Sequence, residues 1–299
     1  MNRLYPIGIQ NFEKLRKGGF VYVDKTALIH RLVSTGGYYF FGRPRRFGKS
    51  LMISTLESYF EGRKDLFQGL AIESLEKDWD EYPIFHIDLN NEEYNSRKRL
   101  EGVLNNYLVR WERIYGSEPS EESLSLRFAG LIRRASEQTG RGVVILIDEY
   151  DKPLIQSLDN EELQSEYQSI LKSFYGNLKS CDKHIRFALL TGVTRFSRVS
   201  IFSDLNNLND ITMNSDFASL CGISEKELVE FFDEEVRVLA EKQNMSCSDT
   251  YAMLKRKYDG YHFTGNSEGM YNPFSVLNTF ASMKIENYWF STGTPTILV

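Results

Sequence analysis

Much of what would mark this chain as disulfide-built, metal-built or membrane-built is missing. Its three cysteines, Cys181, Cys221 and Cys247, are widely spaced, and no C-x-x-C pair occurs. An odd, scattered set argues against both a disulfide framework and a zinc ribbon, and a reducing compartment is the expected setting. Histidine is scarce too: His30, His86, His184 and His262 show no ligand spacing, so each reads as a packing or surface residue. No apolar run approaches the roughly 20 residues of a membrane-spanning helix. The start, MNRLYPIGIQ, lacks the apolar stretch of a secretory signal, so a cytoplasmic protein without a membrane partner is expected. Positive charge is not in excess either. With 36 Lys+Arg against 41 Asp+Glu the net charge is −5, which argues against binding nucleic acid through overall charge and leaves open only a local basic groove. There is no internal repeat and no low-complexity linker. The remainder, 41% hydrophobic and 26% charged over 299 residues, is the composition of a soluble globular chain long enough to bury a large core.

Two stretches carry chemistry. The first is FFGRPRRFGKSLM. Tyr38 to Phe41 reads as a buried strand, and Leu51, Met52, Leu56, Tyr59 and Phe60 fall at helical spacing behind Gly48-Lys49-Ser50. A strand, a loop and a helix start present outward N–H groups and a partial positive charge, which attract phosphate. Gly48 lets the backbone approach closely, Lys49 would reach the β- and γ-phosphates, and the Ser50 hydroxyl would ligate Mg²⁺. The loop departs from G-x-x-x-x-G-K-[ST]: Arg43 stands where the first glycine belongs, and Gly42 lies one residue early. Pro44, Arg45 and Arg46 stiffen and charge the loop, and three arginines are expected within reach of a polyphosphate. The candidate nucleotide contacts are Arg45, Arg46, Phe47, Gly48, Lys49, Ser50 and Leu51.

The second stretch is VVILIDEYDKP. Val143 to Ile147 is an unbroken apolar run, the pattern of a central parallel strand buried on both faces. It delivers Asp148 and Glu149 to the carboxyl end of the sheet, where α/β proteins bind ligands. Asp148 joins Ser50 as a candidate metal ligand, and Glu149 is placed to act as general base toward water. A third strand, Ile185 to Leu190, ends in Thr191-Gly192-Val193-Thr194-Arg195. Thr191 is a candidate contact to the γ-phosphate or the water, and Arg195 a candidate cation for the transition state, in cis or toward a neighbouring subunit.

Around these stretches the chain reads as an α/β protein. Its core would be a phosphate-loop NTPase with a parallel sheet flanked by helices, followed by a small helical or winged-helix-like lid. Residues 1–214 would hold the core with its lead-in, and 215–299 the lid. In the lead-in, Phe20 to Val23 reads as a short strand and Asp24 as a cap for a helix carrying Leu28, Ile29 and Leu32. Pro83 to Leu89 reads as a strand lying between the Lys49 loop and the Asp148 strand, followed by helices over about 95–115 and 120–138. Glu161 to Ser180 reads as one amphipathic helix, and Ile211 to Met213 as a final strand. Farther on, Ser224 to Glu227 has capping-box spacing, and Asn272-Pro273 looks like a helix start.

Several stretches taken together resemble the AAA-ATPase-like family of phosphate-loop NTPases: YPIGIQNFEKLRKGGFVYVDKT, GGYYFFGRPRRFGKSLMISTLESYF, ILIDEYDKPL, LLTGVTRFSRVSIFSDLNNLNDI, and YDGYHF through YNPFSVLN to YWFSTGTPTILV. The resemblance implies that Lys49 and Ser50 bind ATP and Mg²⁺, that Asp148 and Glu149 form the acidic pair, and that the shifted loop glycine is a family trait. Its members often carry a C-terminal nuclease-like domain of the PD-(D/E)XK type. No such half is visible here, and the apolar end Ile297-Leu298-Val299 reads as a cut through a longer protein. The expectation is ATP hydrolysis; alternatives are a slow nucleotide-gated switch controlling a fused or partner domain, in a homo-oligomer or alone, and, further off, a kinase.

Overall fold

The computed structural model describes residues 3–193, 207–263 and 269–288. In chain order, α1 (Phe12–Lys17) and α2 (Thr26–Thr35) precede β1 (Tyr38–Gly42). Next, α3 (Lys49–Phe60) and a short α4 (Ile72–Leu75) lead to β2 (Ile84–Asp88), and α5 (Arg97–Tyr115) and α6 (Leu124–Thr139) lead to β3 (Val143–Asp148). After α7 (Lys152–Gln156), α8 (Glu161–Tyr175) and α9 (Asn177–Ser180) come β4 (Ile185–Gly192) and the two-residue β5 (Asn209–Asp210). These strands make one parallel five-stranded sheet in the order β2–β3–β4–β1–β5.

The helices follow from the strands. Parallel neighbours require long crossovers, and strands as apolar as β3, buried at every residue, require cover on both faces. One face packs Phe85, Ile87, Ile145 and Ile147 against Leu104, Phe128, Leu131 and Leu171 of α5, α6 and α8. The other packs Phe41, Val144, Leu146 and Leu189 against Ile29, Leu32, Ile53 and Leu56 of α2 and α3. Each fully buried Leu or Phe contributes about 1.5–3 kcal/mol. In-register pairing then sets Phe41 beside Thr191, Gly42 beside Gly192, and Asp88 beside Asp148 at one end of the sheet.

A second, antiparallel sheet runs in the order β6 (Ile223–Ser224), β8 (Met270–Tyr271), β7 (Asp259–Tyr261). It packs with α10 (Glu225–Lys242), α11 (Cys247–Tyr258) and α12 (Pro273–Ser282) around Leu228, Phe232, Val236, Leu254 and Phe280. The expected capping box is present: Ser224 accepts from the Glu227 amide, and the Glu227 carboxylate accepts from the Ser224 amide. Asn272 caps α12 with Pro273 in the first turn.

As expected, β2 lies between β1 and β3 in sequence and an inserted strand separates those two in the sheet; that strand is β4, with β2 at the edge. Three expectations need correction. The last strand covers 209–210, not 211–213, because Ile211 turns into the core beside α2 and α3. The helix expected over 161–180 breaks at Gly176, where the side-chain amide of buried Asn177 takes the Phe174 carbonyl at 3.0 Å and the Ser125 carbonyl at 3.0 Å. The strand over 20–23 is reduced to a bridge between Leu4 and Phe20, because Val21 and Val23 pack sideways onto the α10–α12 cluster. Asp24 does cap the next turn, accepting from the Thr26 amide at 2.8 Å and the Thr26 hydroxyl at 2.6 Å.

Candidate functional site

The loop between β1 and α3 takes its shape from two left-handed residues, Arg46 at φ 67° and Gly48 at φ 96°. Position 43 has no such requirement, so the arginine there carries no conformational penalty. The Arg43 side chain is not directed at phosphate, contrary to the expectation of three arginines around a polyphosphate. It is 1% exposed, held between the rings of Phe41 (4.2 Å) and Phe263 (3.8 Å). It donates to the carbonyls of Gly42 and Thr212 at 2.8 Å and of Ala218 at 3.2 Å. Burial pulls its pKa down to about 10. Phe47 is buried as well, edge-on to Tyr261 at 4.6 Å and Phe263 at 5.6 Å, and its carbonyl accepts from the Gly222 amide at 3.2 Å. Arg46 lies over the Phe274 ring at 4.1 Å, while Arg45 is exposed on the cleft.

Lys49 opens α3 and is 4% exposed. Its ammonium donates to the Arg43 carbonyl at 2.9 Å and the Pro44 carbonyl at 3.3 Å, and pairs with Glu149 Oε1 at 3.0 Å. The loop and the acidic strand end are thus in direct contact. Asp148 is 3% exposed, and the buried Thr191 hydroxyl donates to its Oδ1 at 2.5 Å. The Tyr150 amide donates to the Thr191 carbonyl at 2.9 Å, so β4 holds both sides of Glu149. Glu149 has φ 53°, a left-handed strain that persists in a non-glycine residue only where the surroundings fix it. Asp151 adds to that frame by accepting from the Val193 amide at 2.9 Å. A Cβ on Gly192 would stand 2.7 Å from the Asp151 carboxylate, so only glycine fits there.

Arg45, Arg46, Gly48, Lys49, Ser50, Leu51 and Glu149 line one cleft of about 330 Å³. Four parts of its wall were not among the candidate site residues read from the sequence: Pro6–Gln10, Asn90, Pro273–Phe274 and Leu277. Asn90 carries a readable signal, since it follows β2 at the same sheet end as Asp148. The others reach the site only through long-range packing. A smaller apolar cavity of about 100 Å³ adjoins it, sharing Pro6, Gly48, Leu51, Pro273 and Leu277, and continues past Tyr22, Ile29 and Met52. Cys221 also lines it, and burial pushes that thiol up to about 11, which removes it as a nucleophile. Thr194 and Arg195 lie outside the described residues.

Sheet, loop and acidic strand end define an α/β protein with a phosphate-loop-like core. The chain belongs to the AAA-ATPase-like family: the model described as "Predicted AAA-ATPase" matches residues 6–202. It is also 40% identical over 296 residues, 98% of its length, to a protein of Azotobacter chroococcum mcd 1 described as "Uncharacterized protein in vnfD 5'region". The chain spans 55% of that relative's length. No solved structure matches significantly. Family membership supports ATP binding in general terms. Among the described residues, no helix is long and apolar enough to cross a membrane.

Proposed function

We propose that this chain binds Mg²⁺-ATP and hydrolyses it. The observation that carries the reading is the Lys49–Glu149 contact at 3.0 Å, which joins a phosphate-type loop to a strand-end carboxylate beside an Asp148 already oriented by Thr191. Lys49 and the amides at the start of α3 would hold the β- and γ-phosphates, with Arg45 at the rim. The metal fits the donors present. Ser50 and Asp148 offer hard oxygens, which suit Mg²⁺. Among the described residues there is no cluster of three or more His, Cys, Asp or Glu to hold a cation without phosphate. Bound there with ATP, Mg²⁺ would offset charge on the phosphates. Glu149, once Lys49 turns to phosphate, is released to accept the proton of the attacking water. The apolar cavity beside Gly48 and Leu51 suits the nucleotide base, with Pro6 and Pro273 as walls.

Residues 215–299 are read as the helical or winged-helix-like lid of this core. A second reading, a nucleotide-gated switch with little turnover, is favoured by the loop contacts of Arg46 and Phe47 with the region after residue 220. The part of the relative's length not spanned here would then be what is controlled, and a nuclease-like domain is one candidate. Nucleotide binding and turnover by the wild type, Lys49→Ala and Glu149→Gln decide between these. An ATPase requires a turning-over wild type, a non-binding Lys49→Ala, and a Glu149→Gln that binds without turnover. A wild type that binds and does not turn over supports the switch, and one that does not bind Mg²⁺-ATP refutes both.

A further inference from the structure

One cation at this site has no part in the reading so far. Lys152 opens α7, and its amide donates to the Glu149 carbonyl at 3.0 Å. A single tight turn therefore joins Glu149 to Lys152. The Lys152 ammonium donates to the backbone carbonyl of Asn90 and, at 3.2 Å, to Asn90 Oδ1. Asn90 lines the cleft together with Arg45, Lys49 and Glu149. Both of these acceptors are neutral, so the hydrogen bonds fix where the lysine sits without cancelling its charge. Partial burial holds its pKa below the ordinary lysine value, opposed by Asp88. Its charge also interacts with those of Arg45 and Glu149, two residues of the cleft wall.

We propose that Lys152 is a catalytic residue of the hydrolysis, a cation supplied in cis to the transferred phosphoryl group. This rests on the ATPase reading. In the step, the water oxygen bonds to the γ-phosphorus and its proton passes to the Glu149 carboxylate. The bond from the γ-phosphorus to the bridging oxygen breaks, and its electron pair stays on the β-phosphate of ADP. Lys152 gains and loses no proton; its ammonium exchanges one Asn90 acceptor for an equatorial γ-phosphoryl oxygen, where charge accumulates. The chain would then need no neighbouring subunit to complete its site.

The test is steady-state and single-turnover hydrolysis of Mg²⁺-ATP by the full chain, with affinity read from a fluorescent ATP analogue and folding from Tm. The variants are Lys152→Met, Lys152→Arg, Asn90→Ala and the double variant Lys152→Met/Asn90→Ala. The proposal requires kcat of Lys152→Met to fall about 100-fold, with affinity and Tm near wild type. It also requires Lys152→Arg to recover much of that loss and Asn90→Ala to be milder. An unchanged kcat in Lys152→Met overturns it while leaving the ATPase reading intact. Equal losses in Lys152→Met, Asn90→Ala and the double variant overturn direct contact, since the lysine would then only position Asn90. A wild type without hydrolysis overturns this proposal and the ATPase reading together.

Discussion

Lys49 and Glu149 share one ion pair although their assigned tasks are separate, and that pairing has a measurable consequence. On the ATPase reading, phosphate would have to displace Glu149 from Lys49 before either acts. Glu149→Gln removes the competing charge, so it should bind ATP at least as tightly as wild type while turnover falls by about 100-fold or more; titration of a fluorescent analogue and a phosphate-release assay read the two effects. Weaker binding in Glu149→Gln would mean that the carboxylate helps to hold the site open. Arg43 makes the opposite point. Its position in the sequence suggests a displaced loop glycine, yet its guanidinium is buried between two rings and bonded to several carbonyls. Restoring the common pattern with Arg43→Gly should therefore destabilise the fold by about 3 kcal/mol or more, because buried acceptors lose their donor. Urea denaturation would show it, and an unchanged midpoint would refute it. The placement of Lys49, Ser50, Asp148 and Glu149 was legible in the sequence because it is local to a strand end or a helix start. That of Arg43 was not, because the direction of that side chain depends on Phe263, far along the chain.

Elements were legible wherever a single period governed them. The apolar runs of β1, β3 and β4 and the caps of α10 and α12 needed no tertiary information. The split at Gly176 did, because the Phe174 carbonyl at the end of α8 is satisfied by the Asn177 side chain, which also donates to the Ser125 carbonyl at the start of α6. The sheet order needed it too, since nothing local says that β4 inserts between β1 and β3. One contact between elements makes a prediction about pH. Nδ1 of His86 in β2 lies 3.2 Å from Oε2 of Glu57 in α3. Burial lowers the His86 pKa, but the bond and charge of Glu57, aided by Asp148 and Asp88, outweigh it and leave it raised. A raised value means that the pair stabilises fully below the unfolded histidine pKa of about 6.5 and that this gain is lost as pH rises through the folded value. His86→Gln should therefore lower Tm more at about pH 5.5 than at about pH 8.5. A gap between wild type and variant that is independent of pH would show that Glu57 does not hold the proton.

At the scale of the whole molecule, the phosphate loop has two sides. Arg45, Arg46, Lys49 and Ser50 line the cleft, Arg46 lying over Phe274 there, while Arg43 and Phe47 are held by Phe263 and Tyr261 on the other side. The loop conformation thus depends on residues that come more than two hundred positions later. A chain ending at residue 214 should be less stable and should lose the rise in Tm that Mg²⁺-ATP gives the longer chain; differential scanning fluorimetry compares the two directly. Full retention of the rise in the shorter chain would mean that the loop folds unaided. This dependence was invisible in the sequence, where residues 215–299 read as an appended lid and the contacts back to the loop leave no periodic trace.

The lead-in carries a related consequence for how the protein is made. Arg3 bonds to Glu235, 232 positions away, at 2.6 Å, and Lys25 pairs with Glu227 at 2.5 Å. At a synthesis rate of about 5–20 residues per second, roughly ten to fifty seconds pass between the two partners of the first pair. During that interval the parallel sheet can assemble with Leu4 bridged to Phe20, while Arg3 and Lys25 wait for their acidic partners. The growing chain therefore completes its parallel sheet before Pro273, Phe274 and Leu277, the last part of the cleft wall, have been made.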